Sequence, residues 1–181
     1  MNINFLSIIH FISYYLCWMC CIYFAAYGYP LLGLIITVLI MAAQIILQII
    51  NQLHWRDALH YSIGLAILGA ITDAIWLYSG MIYFKANFFG SYFPPLWMIA
   101  LWLSFGFNLV LLYRSWLTHY FLWGLIMFPS IIFAYWLGVQ FGAATLISNG
   151  MVFYLSLGLT WSLFLPLSLY LFNYTYRKGI R

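Results

Sequence analysis

The residues best suited to chemistry in this chain are its two carboxylates, Asp57 and Asp73. They lie about 24 Å apart if both are on one helix, so they cannot share a proton as a catalytic pair. Asp73 is set inside the apolar run from Ala58 to Tyr78. A carboxylate at membrane depth is costly and usually faces a bundle interior or a wet cavity, where it has a partner. Asp73 is therefore the strongest functional candidate, whereas we expect Asp57 to be a helix N-cap.

The cysteines and histidines are weaker functional candidates than Asp73. Cys17, Cys20 and Cys21 share one side of the first predicted helix, but a thiolate in hydrocarbon is costly, so we expect them to pack as small apolar side chains. The histidines show no H-x3-H or HExxH spacing, and we interpret them as interfacial; they are His10, His54, His60 and His119. No GxSxG elbow and no phosphate-binding glycine loop occurs in the sequence. The sequence predicts no metal site and no cofactor, and it indicates no enzyme class.

The composition places the chain in a membrane. Of its 181 residues, 67% are hydrophobic and 4% are charged, and the mean hydropathy is +1.03. At roughly 20 apolar residues per span, this length accommodates about six spans, so we predict an all-α transmembrane bundle forming a single integral membrane domain over residues 1–181. The pI near 9.0 rests on six basic residues that form no face, which excludes a nucleic-acid partner.

Hydropathy predicts six spans. They are Phe5–Tyr27, Pro30–Ile50, Ala58–Tyr78, Pro94–Tyr113, Tyr120–Val139 and Asn149–Phe172. An even number puts both termini on one side. The positive-inside rule makes that side cytoplasmic, because Arg56, Arg114 and the basic tail then lie inside and only Lys85 lies outside.

Several features predict how the spans pack. Ala66, Ala70 and Ala74 form a small-xxx-small row beside Gly69 and Asp73, so Asp73 should face a neighbouring helix.

Other features concern the connections. The link from Ser79 to Phe93 is too aromatic for a solvated loop, so it either forms an interfacial aromatic belt, which we favour, or folds over the bundle mouth. Gly138 and Gly142 indicate a tight turn or a close contact, and Pro129 and Pro166 indicate kinks in spans five and six.

Six residues are ligand-binding candidates: Asp73 itself and five residues at its depth that offer indole, phenol or amide groups to a carboxylate. They are Asp73, Tyr83, Trp97, Trp102, Gln140 and Asn149.

Parts of the sequence resemble a known family. The run from Thr72 and Asp73 to Gly80, then Pro94-Pro95-Leu96-Trp97 and Leu101-Trp102, followed by Gly138, Gly142 and Ala143, resembles an uncharacterised family of small bacterial inner-membrane proteins, a domain of unknown function. The similarity covers about Gly28 to Pro166. Ile131 and Ile132 stand where that family has a Gly-Pro pair, and Gln140 stands where a basic residue is usual.

The resemblance implies a multi-pass protein of the bacterial inner membrane with no established activity. It also implies a connection with lipid metabolism, because some members look as if they are encoded near fatty-acid-modifying enzymes. Three hypotheses follow: a lipid-handling protein with Asp73 lining an aromatic cavity, a small proton-coupled transporter, or a structural scaffold for a membrane enzyme. The corresponding partners are membrane lipids, a membrane enzyme or a second copy of the chain.

Overall fold

The chain forms a bundle of six helices, each long and apolar enough to cross a membrane. A computed structural model describes residues 3–53, 55–90 and 92–179, with side chains from 5 to 175 within those ranges. The helices are α1 (Ile3–Ala26), α2 (Pro30–Ile50), α3 (Arg56–Tyr78), α4 (Leu96–Tyr113), α5 (Tyr120–Gln140) and α6 (Gly150–Gly179). A short 3-10 turn, Arg114–Trp116, follows α4, and two strands, β1 (Ile82–Phe84) and β2 (Ala144–Leu146), lie between helices. The prediction of six spans is confirmed, and the protein is a multi-pass membrane protein.

Helix α4 lies at the centre and packs against α1, α2 and α3, whereas α5 packs chiefly against α6. Large side chains join the α5–α6 pair to the other helices. Trp102 stacks on Trp161 with ring centroids 4.1 Å apart, and the Tyr61 hydroxyl hydrogen-bonds to Ser168 Oγ at 2.9 Å. Because aromatic rings hold these helices apart, the bundle leaves room for a cavity on one side of α4.

The α3–α4 contact is close, as the row of small residues predicts. A Cβ added at Gly106 would lie 2.8 Å from Ser62 Cα, and one added at Gly69 would lie 2.4 Å from Trp102 Cγ. Both glycines are needed for the two helices to approach. Asp73 is on this face and is fully buried, which confirms its inward position.

Three connections, α1–α2, α3–α4 and α5–α6, share one end of the bundle, called here the hairpin end. There β1 pairs antiparallel with β2, with Tyr83 opposite Thr145 and Phe84 opposite Ala144. Ile82 and Phe84 are buried, so this part of the connection folds over the bundle and is not the interfacial belt that we favoured. The exposed rings farther along the connection are Phe88, Phe89, Tyr92 and Phe93.

The glycine pair at the end of α5 forms a turn. Gly142 adopts a φ of +78°, its N–H donates to Val139 O at 3.0 Å, and the Ala143 N–H donates to Gly138 O at 2.9 Å. These two bonds close the helix in the Schellman arrangement, which needs a left-handed residue. Of the two alternatives for this glycine pair, the tight turn is therefore the one found.

Two polar residues differ from their predicted roles. Asp57 lies within the first turn of α3, after the cap residue Trp55, and it pairs with Arg114 at 3.4 Å. The N-cap interpretation of Asp57 is therefore wrong. His10 is 2% exposed and hydrogen-bonded inside the bundle, so the interfacial interpretation of that histidine is also wrong.

Candidate functional site: an aromatic groove beside Asp73

Asp73 joins three helices through its two carboxylate oxygens. Trp102 on α4 donates its indole N–H to Oδ2 at 2.8 Å, and Tyr135 on α5 donates its hydroxyl to Oδ1. Both donors are neutral and all three residues are buried. The stacking of Trp102 on Trp161 extends this connection to α6. Asp73 therefore fixes the orientation of two aromatic side chains that belong to different helices.

Those two rings form part of the wall of a groove with a volume of about 120 Å³. Each flanking helix contributes one face, with residues at spacings of three and four. The lining residues are Tyr14, Trp18 and Ile22 of α1, Trp97, Met98, Leu101, Trp102 and Phe105 of α4, and Met127, Ser130, Ile131, Ala134, Tyr135 and Gly138 of α5, with Phe84 and Ala144 of the strands. From Trp97 to Phe105 the groove extends about 12 Å along α4. It is narrow, apolar and parallel to the helices.

The groove has a buried floor and an open side. The floor consists of Phe84, Trp97, Leu101, Trp102 and Tyr135, all of which are less than 10% exposed. The mouth lies between α1 and α5, where the lining side chains are half-buried or exposed. These mouth residues are Tyr14, Trp18, Ser130, Ala134 and Gly138. The β1–β2 pair closes the groove at the hairpin end through Phe84 and Ala144.

The structure brings some predicted site residues together and separates others. Trp97 and Trp102 line the floor, whereas Tyr83, Gln140 and Asn149 are not part of the lining. Asn149 instead caps α6, because its Oδ1 accepts the Met151 N–H at 3.0 Å.

Asp73 differs from the expectation in one respect. It does not line the groove but lies one layer behind it, bonded to two lining residues.

Tyr135 is the functional candidate that sequence reasoning missed. It lies five residues before Gln140 on α5, at a depth similar to that of Asp73, and its hydroxyl is a suitable carboxylate partner. Its depth therefore made Tyr135 a possible partner for Asp73, but nothing in the sequence distinguishes it from the rest of the sixteen tyrosines.

Comparison with protein families decides the membership of the chain. A family described as a protein of unknown function (DUF2878) matches residues 7–167. The chain belongs to the DUF2878 family. The match includes Asp73 and all the residues that line the groove, and it confirms the predicted resemblance to an uncharacterised family, whereas a bacterial origin stays a prediction. Comparison with curated proteins and with solved structures found no match for this DUF2878 chain.

A second buried polar cluster in this DUF2878 protein lies on the far side of α1 and α4. Gln44 Nε2 lies 3.0 Å from His10 Nδ1 and donates to Asn108 Oδ1 at 2.8 Å, and Gln48 Nε2 lies 2.7 Å from His10 Nε2. A neutral imidazole has one acceptor nitrogen, so only one of these two amide nitrogens can donate to the ring, and the other amide must be turned so that its oxygen accepts the ring N–H. Asn108 also donates to Ser104 O at 2.9 Å. The cluster fixes α1, α2 and α4 to one another.

The chemistry available at the groove is that of binding. The polar groups of its floor are already engaged, since Tyr135 and Trp102 bond Asp73 and Trp97 donates to Lys85 O. At the mouth, Ser130 Oγ donates to Ile126 O at 2.8 Å, and the other polar groups there are the Tyr14 hydroxyl and the Trp18 indole N–H. Within the described residues of the DUF2878 chain, no three His, Cys, Asp or Glu side chains are grouped to hold a metal ion. An apolar wall with few free polar groups suits an apolar ligand.

Proposed function

We propose that this protein binds a membrane lipid by taking a segment of one lipid chain into the groove beside Trp102 and Tyr135. The observation that carries the proposal is the lateral mouth. We also propose that the protein acts in the bacterial inner membrane, as its resemblance implies and as the arrangement of basic residues under the positive-inside rule supports. On this account it is a lipid-handling protein.

The position of the mouth favours a ligand that arrives from the bilayer. Ser130 lies ten residues from either end of α5, and Tyr14 lies near the middle of α1. At 1.5 Å per residue, Ser130 is about 15 Å from both helix ends, which is half of the roughly 30 Å hydrocarbon thickness. A water-soluble molecule does not reach that depth from the side. A lipid chain is already there.

The size and lining of the groove favour a chain segment over a whole lipid. Its volume of about 120 Å³ is close to that of an engineered apolar cavity of roughly 150 Å³ that stays dry and binds benzene. The groove therefore holds a segment of roughly six carbon atoms. The rest of the chain remains in the mouth or in the bilayer. The lining is mostly apolar, and the polar groups of its floor already have hydrogen-bond partners.

Asp73 acts in this proposal through its two neighbours. Because its oxygens hold the Trp102 and Tyr135 rings, it keeps the floor of the groove open and in register. This role differs from the one predicted from the sequence, in which Asp73 itself lines the cavity. It requires no proton transfer at Asp73.

Photolabelling of the floor tests the proposal. The protein is reconstituted in vesicles of equal parts phosphatidylcholine and phosphatidylglycerol, both containing molecules with a diazirine in the acyl chain. After irradiation, labelled residues are mapped by peptide mass spectrometry. Trp97 and Leu101 are shielded from surrounding lipid, so they are labelled only if a chain enters the groove. Leu159 and Leu163 on α6 are exposed and serve as the internal standard.

Two glycine variants make the test specific. A Cβ at Gly138 meets no atom within 4 Å and extends into the groove, so Gly138→Leu should fill it without a clash. Gly64 is exposed on α3, also has open space, and does not line the groove, so Gly64→Leu is the matched control. We expect floor labelling in the native chain and in Gly64→Leu, and its loss in Gly138→Leu. Native labelling confined to outward-facing residues would overturn the proposal.

A further inference from the structure

We infer that the lipid held in the groove is a phospholipid with a net negative head group, and that Lys85 Nζ contacts this head group at the hairpin end. The inference rests on the proposed function, because it names the class of lipid for the same groove. It is drawn from the position of Lys85, from its hydrogen bonds and from the charges around it.

The backbone of Lys85 is fixed to the end of the groove. Lys85 directly follows Phe84, which lines the floor, and its carbonyl accepts the indole N–H of Trp97 at 3.2 Å. Its own N–H donates to Ala143 O at 2.8 Å, beside the lining residue Ala144. The side chain of Lys85 therefore starts from the rim of the groove.

The side chain reaches across that rim to α1. Lys85 Nζ donates to Ala26 O at 2.5 Å, and Ala26 lies one helical turn beyond the lining residue Ile22. An ammonium has three donors, so the bond to Ala26 leaves N–H groups that can also reach a phosphate oxygen. Lys85 is exposed and lies on the hairpin end, where the head group of a lipid inserted between α1 and α5 would be.

The charges of the chain are arranged for an anion at this end. The other basic side chains that the structure describes, Arg56 and Arg114, lie at the opposite end of the bundle. Of the two carboxylates in the sequence, Asp57 pairs with Arg114, and Asp73 is buried and bonded to Trp102 and Tyr135. Neither of these two side chains therefore competes for Lys85. The head group that complements Lys85 is therefore one whose phosphodiester is not neutralised by a cation of the same lipid.

Photolabelling with one probe at a time tests this inference. Diazirine-tail phosphatidylglycerol and diazirine-tail phosphatidylcholine are each added at the same low fraction to phosphatidylcholine vesicles that hold the native chain, Lys85→Gln or Lys85→Arg. The readout is the labelling of Trp97 and Leu101 divided by that of Leu159. Gln keeps an amide donor near Ala26 O but loses the charge, whereas Arg keeps the charge.

We expect the anionic probe to label the native floor about fivefold more than the zwitterionic probe, the factor that corresponds to about 1 kcal/mol for one Lys near an anionic surface. Lys85→Gln should bring the ratio close to one without reducing labelling by phosphatidylcholine, and Lys85→Arg should restore the preference. Equal labelling by the two probes in the native chain would overturn the inference but support the groove. If Lys85→Gln reduced floor labelling by both probes equally, the inference would also be overturned, because Lys85 would then act only by bonding Ala26 O and holding β1 to α1. Absence of floor labelling with either probe would overturn the proposed function itself.

Discussion

Trp102 donates its indole N–H to Asp73 at 2.8 Å, so the ring of Trp102 stands between the buried carboxylate and the groove. Because indole nitrogen is only a donor, this bond requires an acceptor at position 73. The same ring stacks on Trp161 at 4.1 Å. The carboxylate therefore shapes the floor of the groove without touching what the groove holds.

The two substitutions Asp73→Asn and Asp73→Ala should differ sharply. Asn can accept from Trp102 with its oxygen and donate to the Tyr135 hydroxyl with its nitrogen, since a phenol also accepts. Ala leaves both buried donors without a partner. We expect Asp73→Ala to lower the free energy of unfolding by about 1 to 3 kcal/mol, because two interhelical bonds of roughly 0.6 to 1.7 kcal/mol each are lost, and Asp73→Asn to lower it by less.

Thermal unfolding in detergent with a thiol-reactive dye measures this difference, because Cys17 and Cys21 are fully buried and react only on unfolding. Floor labelling should persist in Asp73→Asn and fall in Asp73→Ala. Equal stability of the two variants would contradict the hydrogen-bonding role assigned to Asp73.

Gly69→Ala should displace the Trp102 ring, which forms part of the floor of the groove. Its new Cβ would lie 2.4 Å from Trp102 Cγ, so the indole must move, at a cost of about 1 to 3 kcal/mol for an overpacked core. Gly64→Ala, on the same helix with open space around it, is the control and should be as stable as the native chain. The dye assay and floor labelling should both report a loss for Gly69→Ala alone. Unchanged labelling would mean that the position of Trp102 does not define the groove.

A disulfide across the strands should leave chain binding intact. Tyr83 and Thr145 are paired and exposed, and directly opposed Cα atoms about 4.5 to 5.5 Å apart fall within disulfide range. We expect Tyr83→Cys with Thr145→Cys to cross-link on mild oxidation, whereas Tyr83→Cys with Ile147→Cys, a diagonal pair roughly 7 to 8 Å apart, should not. Labelling of the floor should persist in the cross-linked protein, because the lipid chain enters between α1 and α5. Loss of labelling on oxidation would show that the strands, not the helices, gate the groove.

Gln44→Leu should destabilise the second polar cluster without reducing lipid-chain labelling in the groove. The substitution removes a partner from both His10 and Asn108, which are buried, and should cost about 1 to 3 kcal/mol. Gln140→Leu, at an exposed position, is the control and should change stability by no more than about 0.5 kcal/mol. Unfolding in the dye assay measures both. A Gln44→Leu chain as stable as the native one would argue against a packing role for this cluster.

The sequence predicted the helices, the inward face of Asp73 and the suitability of Trp102 as a hydrogen-bond partner for Asp73, because each depends on local pattern. Hydropathy sets the spans, and the row Ala66, Ala70 and Ala74 directs attention to the neighbouring residues Gly69 and Asp73, which contact α4. A position within a span also fixes depth. These features need no knowledge of how helices distant in sequence are arranged.

The remaining differences arise from the arrangement of helices around the bundle. Gln140 and Tyr135 lie five residues apart on α5, but only Tyr135 bonds Asp73, and that difference depends on how α5 is placed and rotated beside α3. The strands were missed because each has three residues, too few for an alternating pattern to be distinct in an aromatic segment. Which end of the bundle faces the cytoplasm stays a prediction.

The most direct measurement of the central claim is the ratio of acyl-chain photolabel on Trp97 and Leu101 to that on Leu159, compared among the native chain, Gly138→Leu and Gly64→Leu. We predict a clear floor signal in the native and Gly64→Leu chains and its loss in Gly138→Leu, with labelling of Leu159 equal in all three. A floor signal that is absent from the native chain, or that Gly138→Leu leaves unchanged, would contradict lipid-chain binding in the groove.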